Sequence, residues 1–135
     1  MSKNPFFYLL SGCFPGLFIN ELLLAFHMSR IEAQSALLDR CLSGMDVQAK
    51  RLFGADGRAK QGKVFAMITK HGEFVIKCDD VAQFESLQHQ GAVRWSPHAS
   101  RGPMGTWLVL SDQMLEDEER LTSSLVHCHD HVKVN

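Results

Sequence analysis

The stretch from Lys63 to Cys78 constrains the fold of this chain more than any other. Its first half, Lys63–Thr69, carries apolar side chains on both faces of an extended strand, which is typical of a central strand covered on both sides. Gly72 can adopt the positive φ that a tight hairpin turn demands. Residues 73–78 then alternate, and this alternation predicts a strand with Val75 on a face mostly in water. An antiparallel hairpin is therefore the predicted centre of a sheet.

Helices and further strands are predicted around this hairpin in a regular order. The helices span residues 29–43, residues 81–91 and a last segment from Ser111 or Asp112 onward, and the other strands span residues 47–53, 92–95 and 106–110. A capping box, Ser29 with Glu32, opens the first helix. Asp80 and Gln83 open the second helix in the same way. The segment Gly54–Gly62, which has three glycines and little apolar content, is predicted to be a loop.

The fold class that this order predicts is α+β. Two layers are expected, in the order α-β3-α-β2-α, with helices covering one five-stranded antiparallel sheet. A chain of 135 residues is long enough for one such domain and too short for two. The cysteines lie far apart without a C-x-x-C pair, at positions Cys13, Cys41, Cys78 and Cys128. This spacing indicates reduced thiols and a cytoplasmic protein rather than a secreted disulfide framework.

The first 27 residues are rich in Phe and Leu and differ from the rest. Proline, glycine and polar residues interrupt them before they reach the roughly 20 apolar residues of a spanning helix. We interpret residues 1–27 as a hydrophobic extension and residues 28–135 as the domain, with Met28 as a suitable initiator. Two alternatives remain: a lipid or membrane anchor, since LLSGC ending at Cys13 resembles a lipoprotein cleavage box, or an arm that packs on the domain or a partner.

The basic segment from Lys50 to Lys77 raises the question of nucleic-acid binding. Net charge is -1, with 14 Lys plus Arg against 15 Asp plus Glu, so no field of the whole molecule favours nucleic acid. A local patch is the alternative, and its candidate residues are Lys50, Arg58, Lys60 and Lys63. The loop predicted there lacks the G-x-x-x-x-G-K-[ST] order of a phosphate loop and has no interleaved aromatic for base stacking. A solvated rim is therefore the favoured interpretation of these cations.

No arrangement in the sequence predicts catalysis, a cofactor or a metal. Serine, cysteine, histidine and acidic residues are present, but no signature brings them together as a nucleophilic site. Near the chain end, His127 and His131 are four residues apart on a predicted helix, which is the spacing of two ligands to one ion. Two ligands on a fraying last turn hold a metal poorly, so we predict no metal site, no cofactor and no enzyme activity.

Four pieces of the sequence, in this order and spacing, resemble the N-terminal domain of the TfoX/Sxy family. They are Arg51-Leu52-Phe53-Gly54-Ala55, Phe65-Ala66-Met67-Ile68, Phe74-Val75-Ile76-Lys77, and the run from Trp107 to Asp117. The resemblance covers about residues 29–132 and implies a role in bacterial competence or transcriptional regulation. The sequence departs from the family pattern at two places where polar side chains could serve recognition of a partner. Val75 stands where the family usually has Tyr, and residues 107–109 stand where it has Tyr-Tyr-Arg. The chain resembles a stand-alone version of this domain.

These observations together predict a non-catalytic protein-interaction domain, an accessory to transcriptional or competence regulation. The predicted contact surface is the outer strand face around Val75, Trp95 and Trp107, whose apolar character suits self-association as a homodimer. The alternative is the nucleic-acid-binding module described above. A third interpretation, a small-ligand module or enzyme, requires a pocket bounded by Trp95, His98 and Arg101. No membrane association is expected unless residues 1–27 serve as an anchor.

Overall fold

A computed structural model describes the backbone of residues 19–133 and the side chains of residues 30–133, apart from that of Ala99. These residues form four α-helices, six strands and one short 3-10 helix. In chain order they are α1 (Ile19–Cys41), β1 (Gln48–Leu52), β2 (Ala55–Lys60), β3 (Lys63–Ile68), β4 (Phe74–Lys77), α2 (Val81–His89), β5 (Val93–Arg94), the 3-10 helix (Ala99–Arg101), β6 (Trp107–Val109), α3 (Asp112–Leu115) and α4 (Glu118–His131). The cleavage box predicted at Cys13 lies outside the described residues.

All six strands belong to one antiparallel sheet with the order β1-β2-β3-β4-β6-β5. The predicted α+β class with a single antiparallel sheet is therefore confirmed, whereas the predicted count of five strands is wrong. The central position of β3 is confirmed as well, since five of its six residues are buried. Within residues 19–133, no helix combines the length and the apolar character needed to cross a membrane.

Strand β2 is the additional strand, and it fills most of the segment predicted to be a loop. Two-residue turns, Phe53-Gly54 and Gln61-Gly62, join it to β1 and β3. All four turn residues have positive φ, at 56° and 75° in the first turn and 50° and 84° in the second. This is the signature of type I′ turns, whose twist matches that of the strands they connect. Two of the three glycines predicted to make a loop thus make hairpin turns, and the third, Gly57, lies within β2.

The two faces of β2 have different roles. Ala55, Gly57 and Ala59 are buried on one face, where small side chains let β1 and β3 approach closely. A Cβ atom added at Gly57 would lie 2.6 Å from the backbone oxygen of Lys50, so only glycine fits there. Polar residues occupy the other face, which is turned toward the helices.

Buried side chains form two clusters, one on each face of the sheet. The helix-side core joins α1, α2 and α4 to the sheet and includes Leu38, Phe65, Phe74, Ile76, Leu108 and Leu125. The second cluster, here called the concave core, comprises Ala55, Ala59, Val64, Met67, Val75, Trp95 and Trp107. The sheet curls around this second cluster: Phe53 follows β1 and Trp95 follows β5, at opposite ends of the sheet, yet their ring centroids are 5.4 Å apart. The sheet is therefore covered on both faces.

Two helix boundaries differ from those predicted from the sequence. Helix α1 begins at Ile19 and continues through Ser29, so the capping box predicted to start it there is wrong. The last helix is two helices, because Ser111 accepts a hydrogen bond from the Met114 amide and Asp117 accepts another from the Arg120 amide. The start of α2 is confirmed, with the Asp80 side chain accepting from the Ala82 amide. The division between residues 1–27 and 28–135 stays a prediction.

Candidate functional site

The structure brings together the three residues predicted to form a contact surface, but it buries them. Val75 is fully buried, and Trp95 and Trp107 expose 6% and 4% of their surface. The two indole rings pack edge to face with centroids 6.3 Å apart in the concave core. The prediction that Val75 faces water is wrong because the sheet curls and the tryptophans close over its outer face. These residues stabilise the fold and do not present a surface.

What this region does expose is a small apolar patch at the rim of the concave core. Phe53 is 49% exposed, and its ring packs against Trp95 at an interplanar angle of 50°. Val93 is 64% exposed and pairs with Val109, which is half-buried against the concave core. We call Phe53 and Val93 the rim patch.

Phe53 is held in a backbone conformation that its side chain disfavours. Its φ of +56° lies in the left-handed region, which costs a non-glycine residue on the order of 1 kcal/mol. Asparagine, aspartate or glycine would occupy this turn position with less strain. Strained residues of this kind persist where the surroundings hold them and are frequent at functional sites. The exposed aromatic therefore needs a reason other than the stability of the turn.

Two of the four predicted nucleic-acid contacts are used inside the protein. Arg58 is only 12% exposed and forms salt bridges with Asp39 of α1 at 2.9 Å and with Asp56 at 2.8 Å. Burial disfavours the charged guanidinium, but the hydrogen bonds to these two carboxylates outweigh it and raise the pKa of Arg58. Lys60 donates to the backbone oxygen of His129, 3.0 Å away near the end of α4. The polar face of β2 thus attaches the sheet to α1 and α4.

The other two predicted cations remain accessible and are joined by a third. Lys50 and Lys63 are exposed, and so is Arg51, which was not among the four candidate contacts. Lys50 donates to the Gly62 carbonyl at 2.7 Å and Arg51 to the Gly54 carbonyl at 3.1 Å. Because both acceptors are neutral, these bonds position the side chains without cancelling their charge.

Lys50 and Arg51 lie on an open edge of the sheet, and Lys63 begins β3 beside the turn next to which that edge starts. Strand β1 has β2 as its only strand neighbour among residues 19–133, and four of its five residues are exposed. It contains two cations and no acid. We call β1 together with Lys63 the basic edge; it begins beside the Gln61-Gly62 turn and ends at Phe53. The feature of the sequence that indicates where β1 ends is the Phe53-Gly54 pair, a hairpin turn with an aromatic residue in place of the usual Asn or Asp.

A second polar cluster lies where α4 ends against the start of α2. The His127 Nε2 atom donates to the Asp80 Oδ2 atom at 2.6 Å, and this hydrogen bond lowers the pKa of Asp80. The rings of His127 and His131 are stacked with centroids 4.2 Å apart. The two histidines were selected from the sequence by their spacing, whereas Asp80 comes from 47 residues away and no local pattern indicates it.

The described cysteines offer no nucleophile. The Sγ atoms of Cys78 and Cys128 are 3.7 Å apart in the helix-side core. The hydrogen bond with Cys78 and burial both raise the pKa of Cys128, which keeps its thiol protonated. The absence of enzyme activity stays a prediction.

The two clefts described do not involve the pocket residues predicted from the sequence. The larger, of about 740 Å³, lies between the end of α2, α3 and α4 and is lined by Leu87, Gln90, Leu110, Met114 and Arg120 among others. The smaller, of about 570 Å³, lies along α4 between Glu118 and Val126. His98 precedes the 3-10 helix and Arg101 ends it, and both are exposed, whereas Trp95 is buried in the concave core. None of the three lines either cleft.

The helices and strands that contain these sites fall within a region that matches a known protein family. The family model of the TfoX N-terminal domain matches residues 39–131, from the end of α1 to the end of α4. The chain belongs to this family. The match contains the whole sheet, so the basic edge and the rim patch of this TfoX N-terminal domain both lie inside the family's fold. A search of curated proteins found no match.

Proposed function

We propose that this TfoX N-terminal domain is a non-catalytic protein-interaction module, an accessory to transcriptional or competence regulation. It binds an extended, acidic segment of a partner protein along the basic edge. The observation that carries this proposal is the combination of an open, cationic edge strand with a strained, half-exposed Phe53 at its end.

An open strand edge recognises extended peptides through its backbone. The outward amide and carbonyl groups of β1 can pair with one added strand, and side chains beside the edge then supply specificity. Phe53 supplies an apolar anchor at one end of this edge, supported from below by Trp95. Aromatic anchors that pack on buried side chains often carry most of the binding energy of an interface.

Charge decides which segment fits the edge. Lys50, Arg51 and Lys63 are exposed and form no salt bridge among the described residues, and Asp56, which lies opposite Arg51 in β2, is already paired with Arg58. An acidic segment therefore complements them. A second copy of β1 is a poor occupant, because antiparallel pairing centred on Lys50 would place that lysine opposite its own copy. The homodimer predicted from the buried tryptophans therefore has no support from this edge.

The nucleic-acid alternative is weaker than the sequence suggested. With Arg58 and Lys60 committed to internal bonds, two of the four candidate contacts remain, Lys50 and Lys63, and together with Arg51 they lie on β1 and at the start of β3. Binding of nucleic acid would also leave the apolar anchor unexplained. It is nevertheless an outcome of the test below, because phosphate contacts cause a steep loss of affinity with salt.

Binding of designed peptides by the full chain tests the proposal. The probes are fluorescent peptides of about eight residues in which Glu alternates with Val or Phe, composition-matched scrambled peptides, and single-stranded DNA. The variants are Arg51→Glu and Phe53→Asn, and Asn is chosen because it fits the left-handed turn. Lys70→Glu, an exposed cation in another hairpin, is the matched control.

We expect the alternating acidic peptides to bind more tightly than the scrambled ones. Each of the two edge variants should weaken binding at least about tenfold, which corresponds to about 1.4 kcal/mol, while Lys70→Glu changes nothing. Equal binding of scrambled peptides, or no effect of Phe53→Asn, would overturn the proposal. Preferential binding of DNA with a steep salt dependence would favour the nucleic-acid alternative instead.

A further inference from the structure

We propose that Asp80, His127 and His131 form a binding site for a divalent transition-metal ion, Zn²⁺ being the ion that fits best. One ligand atom of each residue lies within 4.8 Å of the others. The sequence alone offered only the two histidines, and the fold adds the carboxylate from the start of α2. This inference is independent of the proposed function, since the three residues lie at the junction of α2 and α4 and not on the basic edge.

The orientation of His131 favours a metal ligand. Its Nδ1 atom donates to the His127 backbone oxygen at 2.9 Å, so the neutral ring carries its proton there and its Nε2 atom keeps a free lone pair. Metal-binding histidines usually hold their tautomer through a hydrogen bond of this kind from the other ring nitrogen. Two histidines four residues apart on a helix can bind one ion from the same face.

The carboxylate of Asp80 is oriented by the helix that it caps. One oxygen, Oδ1, accepts from the Ala82 amide at 3.3 Å and leaves Oδ2 directed at His127. The proton that His127 now places between Nε2 and Oδ2 occupies the position that a metal ion would take. On binding, Nε2 would release this proton to solvent and become a ligand, and Nδ1 would take up a proton from solvent, so that the ring stays neutral.

The last turn of α4, expected from the sequence to fray, is held in place on three sides. Val132 is 7% exposed and packs into the helix-side core. The Lys133 amide donates to Asp79 at 3.3 Å, and Lys60 donates to the His129 carbonyl at 3.0 Å. With zinc–ligand bonds of about 2.0–2.2 Å, the ligand atoms around a tetrahedral ion lie roughly 3.4 Å apart. The His127 Nε2 and Asp80 Oδ2 atoms, now 2.6 Å apart, therefore need to separate by less than about 1 Å, and the ligand atom of His131 needs to move inward by about 1 Å. Side-chain rotation on a fixed backbone provides that movement.

The ligand types select the class of ion. Two imidazoles with one carboxylate suit Zn²⁺ and its neighbours Co²⁺ and Ni²⁺, whereas Ca²⁺ and Mg²⁺ prefer oxygen ligands alone. No thiolate is available, because Cys128 points into the core toward Cys78. His127 and Asp80 are part-exposed and His131 is exposed, so water can complete the coordination.

Metal titration of the full chain without a polyhistidine tag tests the site. Co²⁺ binding is followed by its visible absorption, and Zn²⁺ affinity is measured by competition. Asp80→Asn removes the carboxylate but keeps the helix cap, because asparagine caps as well as aspartate. His131→Ala removes a ring that is not part of the core. His98→Ala, an exposed histidine far along the chain from this cluster, is the control.

We expect Asp80→Asn and His131→Ala each to raise the Kd for Zn²⁺ at least about tenfold, and His98→Ala to leave it unchanged. Zn²⁺ should also raise the unfolding temperature of the unmodified protein and of His98→Ala, but not of the two site variants. If Asp80→Asn binds Zn²⁺ as tightly as the unmodified chain, the ion is held by the two histidines alone and the proposal fails. It also fails if the unmodified protein binds no Zn²⁺ at micromolar concentration.

Discussion

Three cysteines illustrate, at the scale of single residues, how burial sets reactivity. Cys41, Cys78 and Cys128 are at most 5% exposed, and all three lie in the helix-side core. Burial raises the pKa of Cys41, and the hydrogen bond with Cys78 together with burial raises that of Cys128. Since the thiolate is the reactive form, both causes act against reaction at neutral pH.

We therefore predict that the described thiols do not react in the folded protein. In a Cys13→Ser variant, Ellman's reagent at pH 8 should modify no thiol rapidly, because burial excludes the reagent from all three described thiols and a raised pKa keeps Cys41 and Cys128 protonated. The same sample in denaturant should release the signal of three thiols. One thiol that reacts quickly without denaturant would contradict the buried positions of these side chains.

At the scale of secondary-structure elements, polar contacts join β2 to the helices. Ser35 of α1 donates to Asp56, and Arg58 bridges Asp56 and Asp39. A second arginine of α1, Arg40, pairs with Glu118 of α4 at 3.2 Å, but both of those side chains are about half exposed. Ion pairs in water contribute little because solvent screens them, whereas a mostly buried guanidinium loses both its bonds and its packing when it is removed.

These two arginines give a matched comparison. Arg58→Ala should lower the free energy of unfolding by about 1–3 kcal/mol, since it removes charge-assisted hydrogen bonds and buried stem packing. Arg40→Ala should produce no measurable change, because its pair with Glu118 is exposed. Urea unfolding followed by circular dichroism measures both. Equal losses in the two variants would mean that Arg58 does not connect β2 to α1.

The same element shows what sequence patterns could and could not predict. Strand β3 and its hairpin with β4 were predictable because their side chains are large and apolar. Strand β2 was not, since its buried face consists of alanine and glycine and its turns are Phe-Gly and Gln-Gly. The prediction that Val75 is exposed was wrong for a different reason. Alternation shows that the two faces of a strand differ, but it cannot show that a curled sheet covers both of them.

The residues of the candidate sites also differ in whether the sequence could predict them. Spacing along one helix was enough to select His127 and His131, because neighbours on a helix face are set by local geometry. Asp80 reaches them only through the packing of α2 on α4, which no local pattern encodes. The cations were recognised individually, but which of them remain free depends on the helices that lie over β2.

At the scale of the whole molecule, the sheet joins two cores that share its central strands. Phe65 and Ile68 of β3 belong to the helix-side core, while Val64 and Met67 of the same strand belong to the concave core. Neither face can lose its packing without loosening the strand that supports the other. The described domain should therefore unfold as one cooperative unit, as most single domains of this size do.

A cavity in the concave core tests this coupling. Met67 is fully buried there, and Met67→Ala should lower the free energy of unfolding by about 2–5 kcal/mol through lost transfer energy and the cavity left behind. Both tryptophans of the chain lie in the concave core, so their fluorescence reports that face, while far-ultraviolet circular dichroism reports mainly the helices on the other. In urea the two signals should shift together and keep a common midpoint. A fluorescence transition that moves to lower urea while the helical signal stays in place would show that the two faces unfold separately.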